Sequence, residues 1–177
     1  MSIESPDIAR ARESAVGVAF ALAGSSMLAA SLLFADVVLR VRTAGGMPAS
    51  DRPPMSTAVA VTGLLVLANL AFGATVPSRK SDTPWLRAPA LLAVMLGLAG
   101  AAVEAYGGHV MFHASGRDAF GAIASALFAW HALHVVAASV ATIRVLRRDR
   151  AALASPALLW NHVAFAWIVI ALALWVI

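Results

Sequence analysis

Within and beside the apolar stretches of this chain, few side chains are able to do chemistry. They are Asp36, Glu104 and five histidines at 109, 113, 131, 134 and 162. His131 and His134 stand three apart on one helical face, about twelve residues (~18 Å) into an apolar run. A neutral imidazole at that depth must either hydrogen-bond or bind a metal. Two histidines facing each other from different helices could hold a haem iron. Here the deep pair shares one helix. His109 and His113 follow Gly107-Gly108 into a loop, and His162 opens the last helix near the opposite surface. Helix-packing hydrogen bonds are therefore the expected role of the imidazoles. The chain has no cysteine, which excludes disulfides, thiolate metal ligands and iron–sulfur clusters. No phosphate-cradling glycine loop, nucleophile elbow, zinc-protease helix or paired carboxylates occur. No catalytic or metal-ligating residue is expected.

The elements that carry these residues are read from hydropathy. Hydrophobic residues make up 61% of the 177 positions, and the mean hydropathy is +0.84. A helix needs about 20 apolar residues to cross a ~30 Å hydrocarbon layer. Five segments qualify, at about 15–40, 57–77, 86–107, 119–146 and 156–177. The third reaches full length with Trp85 as an interfacial anchor. The segments are apolar on all sides, so lipid surrounds them. The fold class expected is an all-α integral membrane protein, with five transmembrane helices in a bundle and one membrane domain over residues 1–177. The first segment is too long for a signal peptide, and acidic residues mix with arginines in the leader before it. Four cations, Arg40, Arg42, Arg52 and Arg117, fall on one side of the membrane and the other nine of the thirteen Lys and Arg on the other. The bias puts the N-terminus in the cytoplasm and the C-terminus outside. The basic balance thus reflects orientation and lipid headgroups, with no nucleic acid implied.

Asp36 and Arg40 have i,i+4 spacing and read as a surface ion pair at the outer interface. Gly107-Gly108 reads as the end of the third helix, which leaves Glu104 one turn from the outer surface. His131 would then lie roughly a dozen Å deeper than Glu104, so no direct bond between them is expected. Ser155-Pro156 reads as an N-cap followed by proline at the first helical position. Asn69, Ser25, Ser26, Ser31, Ser125 and Ser139, with the glycines and alanines, read as close helix contacts.

The fourth segment also carries a resemblance. Phe120-Gly121 followed by Ala129-Trp130-His131-Ala132-Leu133-His134-Val135 resembles the YGS…TGFHGLHV stretch of subunit III of haem-copper terminal oxidases. Leu96-Gly97-Leu98 with Val103-Glu104-Ala105-Tyr106 resembles that family's LGxxFxxxQxxEY, with a shorter gap before the glutamate. Met27 through Arg40 resembles the first helix of the five-helix form, and Trp160 and Trp167 keep the spacing of WHFVDVVW. Order and helix count agree over nearly the whole chain. The departures are specific. Ser25 stands where the family usually has a buried glutamate, Ala132 replaces a glycine, and Asn161 and Ala164 stand at the histidine and aspartate of the last motif. His162 could replace that histidine by a one-residue shift. The chain resembles a divergent member.

The resemblance implies a non-catalytic accessory subunit of a prokaryotic respiratory oxidase, in the inner (plasma) membrane. It would belong to an oxidoreductase complex (a cytochrome c or quinol oxidase) yet carry no redox centre. It implies packing on the catalytic subunit I beside other oxidase subunits, with phospholipid bound and haem and copper held by partner subunits. It also implies support of proton uptake and stability in aerobic electron transport. Glu104, Trp130, His131, His134, Trp160, Asn161 and Trp167 are then structural or lipid-cleft residues. The buried-glutamate role does not carry over to Ser25. Alternatives are a haem b-binding membrane cytochrome subunit and an accessory protein of a nitric oxide reductase. A small transporter is disfavoured, because no inverted repeat or broken helix pair is seen.

Overall fold

The computed structural model describes residues 6–43, 52–75, 87–114, 119–148 and 154–176. Trp85 and the loop cations Arg79, Lys80, Arg117 and Arg150 lie outside these residues. The described residues are almost all helical: α1 (Pro6–Arg42), α2 (Met55–Gly73), α3 (Arg87–Ala114), α4 (Ala119–Arg148) and α5 (Ala154–Ala171), continued by a π-helical turn, Leu172–Val176. All five are long and apolar enough to cross a membrane. The all-helical architecture expected from hydropathy is thus the one observed, with five such helices among the described residues.

Local chemistry suits an apolar solvent. Where lipid offers no partner, backbone and hydroxyl groups must be satisfied within the protein. The hydroxyls of Ser26, Ser31 and Thr142 accordingly donate to the carbonyls of Leu22, Met27 and Ala138, each four residues back. Pro54 precedes α2 with extended backbone (φ −54°, ψ 135°), a conformation that proline imposes on its own φ. At the other end of α2 the Thr75 hydroxyl donates to the Phe72 carbonyl at 2.6 Å and closes the last turn. α5 starts at Ala154, so Ser155 and Pro156 fall in its first turn. Proline there lacks only an N–H that would have no intrahelical partner.

α3 is the packing centre, lying between α2 and α4. α5 closes the group against α4, touches α2 more lightly, and carries α1 on its outer side with α4. The core lies among α2, α3, α4 and α5. Val61, Leu65, Ala68 and Phe72 of α2 meet Ala93 and Ala101 of α3, Leu127, Phe128 and Val135 of α4, and Trp160, Val163, Trp167 and Ile170 of α5. α1 leaves Phe20, Met27, Phe34 and Val41 exposed.

Two segment boundaries differ from the sequence reading. α1 begins at Pro6, so its polar leader continues the helix. α3 does not stop at 107 but runs through Gly107-Gly108 to Ala114. In water a Gly-Gly pair loosens a helix, because glycine loses the most backbone freedom on ordering. Here the missing side chains admit a neighbour. A Cβ on Gly108 would sit 3.5 Å from Phe128 Cβ, and one on Gly107 would sit 3.1 Å from Thr57 Cγ2. The Ser125 hydroxyl of α4 donates to the Gly108 carbonyl at 2.9 Å.

Gly97 is tighter still. A Cβ there would lie 2.5 Å from Trp160 Cη2, closer than carbon atoms pack. A Cβ on Gly24 of α1 meets nothing within 4 Å. Gly97→Ala should therefore destabilise the protein by about 1–3 kcal/mol through overpacking, whereas Gly24→Ala should not destabilise it. Unfolding of both variants in mild detergent checks this, and an equal response at the two positions would contradict the packing.

Candidate functional site

Where α3, α4 and α5 meet, two ionisable side chains are sealed from solvent. Glu104 and His131 both have 0% relative exposure. His131 Nδ1 lies 2.8 Å from each carboxyl oxygen of Glu104, and its Nε2 lies 2.9 Å from the Val163 carbonyl oxygen of α5. This overturns the expectation that the two do not touch. Glu104 lies ten residues before the end of α3 at Ala114, ~15 Å along the axis. His131 lies twelve residues after the start of α4, ~18 Å along. Once α3 continues through its glycines, the two depths match.

The geometry fixes how many protons the pair holds. A carbonyl only accepts, so Nε2 carries hydrogen and donates to Val163. The Nδ1–carboxyl contact then needs one more proton, on the ring or on the carboxyl. Either placement, imidazolium–carboxylate or imidazole–carboxylic acid, leaves the pair with no net charge. Removing that proton would leave an uncompensated carboxylate in a site with no exposure, at a cost of several kcal/mol. The arrangement is a one-proton clamp joining three helices.

The tryptophans extend it. Trp167 packs on His131 with ring centres 5.4 Å apart, and its indole N–H donates to Thr62 of α2 at 2.8 Å. The Trp160 N–H donates to Thr142 of α4 at 3.0 Å, and the Trp175 N–H to the Pro53 carbonyl at 2.9 Å. Every described tryptophan thus has a partner for its N–H. Thr62, Thr142 and the Val163 carbonyl escaped the sequence reading. The two threonines are common apolar-helix residues, and a backbone carbonyl leaves no mark in a sequence. The signal available was the tryptophans themselves, since a buried indole N–H demands an acceptor.

A second polar cluster joins α1, α4 and α5. The Trp130 N–H donates to the Ser25 hydroxyl at 2.9 Å, and Ser25 lies 2.8 Å from His134 Nε2. His134 Nδ1 donates to the Trp130 carbonyl at 2.7 Å. Nδ1 therefore carries hydrogen, and Nε2 shares a hydrogen bond with the Ser25 hydroxyl. Both nitrogens of His134 are engaged. The ring of His162 lies 5.4 Å from that of His134 and 5.7 Å from that of Trp130. This corrects its placement near the opposite surface, because His162 is eight residues, ~12 Å, into α5. Its Nε2 is buried and has no hydrogen-bond partner among the described residues.

Two further placements are corrected. Asp36 and Arg40 do pair, with Arg40 Nε donating to Asp36 Oδ2 at 2.8 Å, but not on the surface, since their side chains are only 3% and 9% exposed. Arg40 Nη2 also donates to the Ala173 carbonyl in the π turn after α5 at 2.9 Å. A cation is favoured at that end of a helix, where carbonyls lack intrahelical donors. Asn69 does not reach across helices with its amide nitrogen, which donates to Leu65 O of its own turn at 2.9 Å.

Asn161 is exposed and lines a cleft of about 340 Å³ between α2 and α5, with Thr62, Val66, Leu70, Trp167 and Ile168. A neighbouring cleft of about 500 Å³ continues the seam past Thr62 to Trp175. The walls are almost wholly apolar. Among the described residues, no three His, Cys, Asp or Glu side chains converge as a metal site. What the buried residues can do is hold helices together and retain a proton. The groove can hold hydrocarbon.

No protein-family model matches the chain, and no curated protein matches it.

Glu104→Ala and His131→Ala should each destabilise the protein by about 3–5 kcal/mol, because each strands the other's polar group in the core. The double variant should lose less than the sum of the two, as expected for groups in direct contact. Denaturant unfolding in mixed micelles measures the cycle. Additive losses would contradict the shared-proton clamp.

Proposed function

We propose that this chain is a subunit III-like, non-catalytic accessory subunit of a prokaryotic respiratory haem-copper oxidase. One observation carries the reading. The two motif blocks that resemble the family, around Glu104 and around His131, meet in one bond of 2.8 Å. They are distant in sequence, and the expectation was that they would stay apart.

The chemistry of the polar residues supports a supporting role. Both nitrogens of His131 and both of His134 are committed to hydrogen bonds. Neither of these two rings offers a free nitrogen to a haem iron. At Ser25, where the family usually has a buried glutamate, a neutral hydroxyl links Trp130 to His134. The family role tied to that carboxylate is therefore not proposed here. Phospholipid is the proposed occupant of the apolar seam between α2 and α5, with Trp167 and Asn161 on its wall. The exposed apolar face of α1 is the proposed contact with subunit I. Haem and copper belong to the partner subunits in this reading, the N-terminus is cytoplasmic, and the membrane is the cell's inner (plasma) membrane.

Deleting the chain and purifying the remaining oxidase tests the proposal. The spectrum of the catalytic centre should stay nearly intact, while sustained turnover or complex stability falls. Failure of any haem-copper oxidase to co-purify with the tagged chain would contradict it. So would loss of a haem or copper signal on deletion, with all other subunits still present.

A further inference from the structure

His109 and His113 take no part in the buried clusters. The continuation of α3 to Ala114 puts both on its last two turns, four residues apart on one face. Both are exposed. Their ring centres lie 4.3 Å apart with planes at 66°. Phe112 packs edge-on against His113, with centres 5.6 Å apart, and restricts that ring.

That separation is close to the one a chelated ion would set between two ligands at a right angle. A metal–imidazole bond of about 2.0–2.1 Å places each ring centre ~3.2 Å from the ion, so a right-angled pair of ligands has centres ~4.5 Å apart. Two histidines at i and i+4 on a helix present their nitrogens to one point, as in helical zinc sites. Imidazole nitrogen suits borderline divalent ions such as Cu(II) and Zn(II). The helix end adds to this, because the last carbonyls of α3 carry partial negative charge and favour a cation nearby. The one carboxyl of α3, Glu104, is committed to His131, so among the described residues of α3 the two imidazoles are the ligands on offer.

We propose that His109 and His113 form a bidentate binding site for a divalent transition-metal ion of the Cu(II)/Zn(II) class at the C-terminal end of α3. The site stands apart from the oxidase reading and does not depend on it. Both ligands are at the surface, so replacing them leaves the buried core untouched.

The test is titration of the purified full chain in mild detergent with Cu(II), followed by electron paramagnetic resonance, and a parallel competition with Zn(II). One Cu(II) per chain should bind, with coupling to two imidazole nitrogens. His109→Ala and His113→Ala should each weaken binding by roughly 10²-fold, because the second contact of a chelate forms at high effective concentration. His162→Ala should leave binding unchanged. The double variant His113→Ala, Val110→His keeps two surface histidines but sets them on different faces, and it should bind as weakly as His113→Ala. No stoichiometric binding, binding insensitive to His109→Ala, or full affinity in the relocated variant would each overturn the site.

Discussion

A carboxyl group and an imidazole, both without solvent exposure, must settle their protons and charges between themselves. In this protein they do so at one point, where Glu104 of α3 meets His131 of α4 and His131 reaches Val163 of α5. The constraint is strict, since lipid supplies no water to take up an unmet donor or a stray charge. It shapes the rest of the bundle. α3 must approach α4 closely enough for a 2.8 Å bond, and glycines at 107 and 108 leave room for Phe128 and Thr57. α5 must present a carbonyl at the same depth. It is held there by the indole bonds of Trp160 to α4 and Trp167 to α2, and by Arg40 of α1 at its far end.

Hydropathy made the number and type of elements legible, because a lipid-facing helix of about 20 residues leaves an unmistakable apolar run. The depth of each residue was less legible. Gly107-Gly108 carries the signature of a helix end, and in solution the entropy of glycine would make it one. Packing against α4 reverses that preference, so a helix extended by two turns carried Glu104 from near the surface to the level of His131. The same kind of error moved His162. It sits two turns into α5, beside His134, and a helix position counted from its start has no meaning until the neighbouring helix is placed. Asp36 and Arg40 were recognised as a pair from i,i+4 spacing. Their burial followed from the end of α5, which no local pattern announces.

The polar groups share a character. His131 with Glu104 carries no net charge, and Ser25, Trp130 and His134 form a second hydrogen-bonded network. Groups arranged this way resist change. They hold the geometry of the helices they join. The outward surfaces complement this, with a nearly bare apolar α1 and an apolar seam between α2 and α5. The interior is thus tied together by the Glu104–His131 and Ser25–Trp130–His134 contacts, while the flanks are apolar.

The central claim is that the buried pair keeps its proton and that His131 donates through Nε2. Nitrogen-15 resonance of histidine-labelled protein, with the His131 signals assigned by comparison with His131→Gln, reads this directly. The expected result is a protonated Nε2 on His131 in a strong hydrogen bond to the Val163 carbonyl. An unprotonated Nε2 on His131 would contradict it.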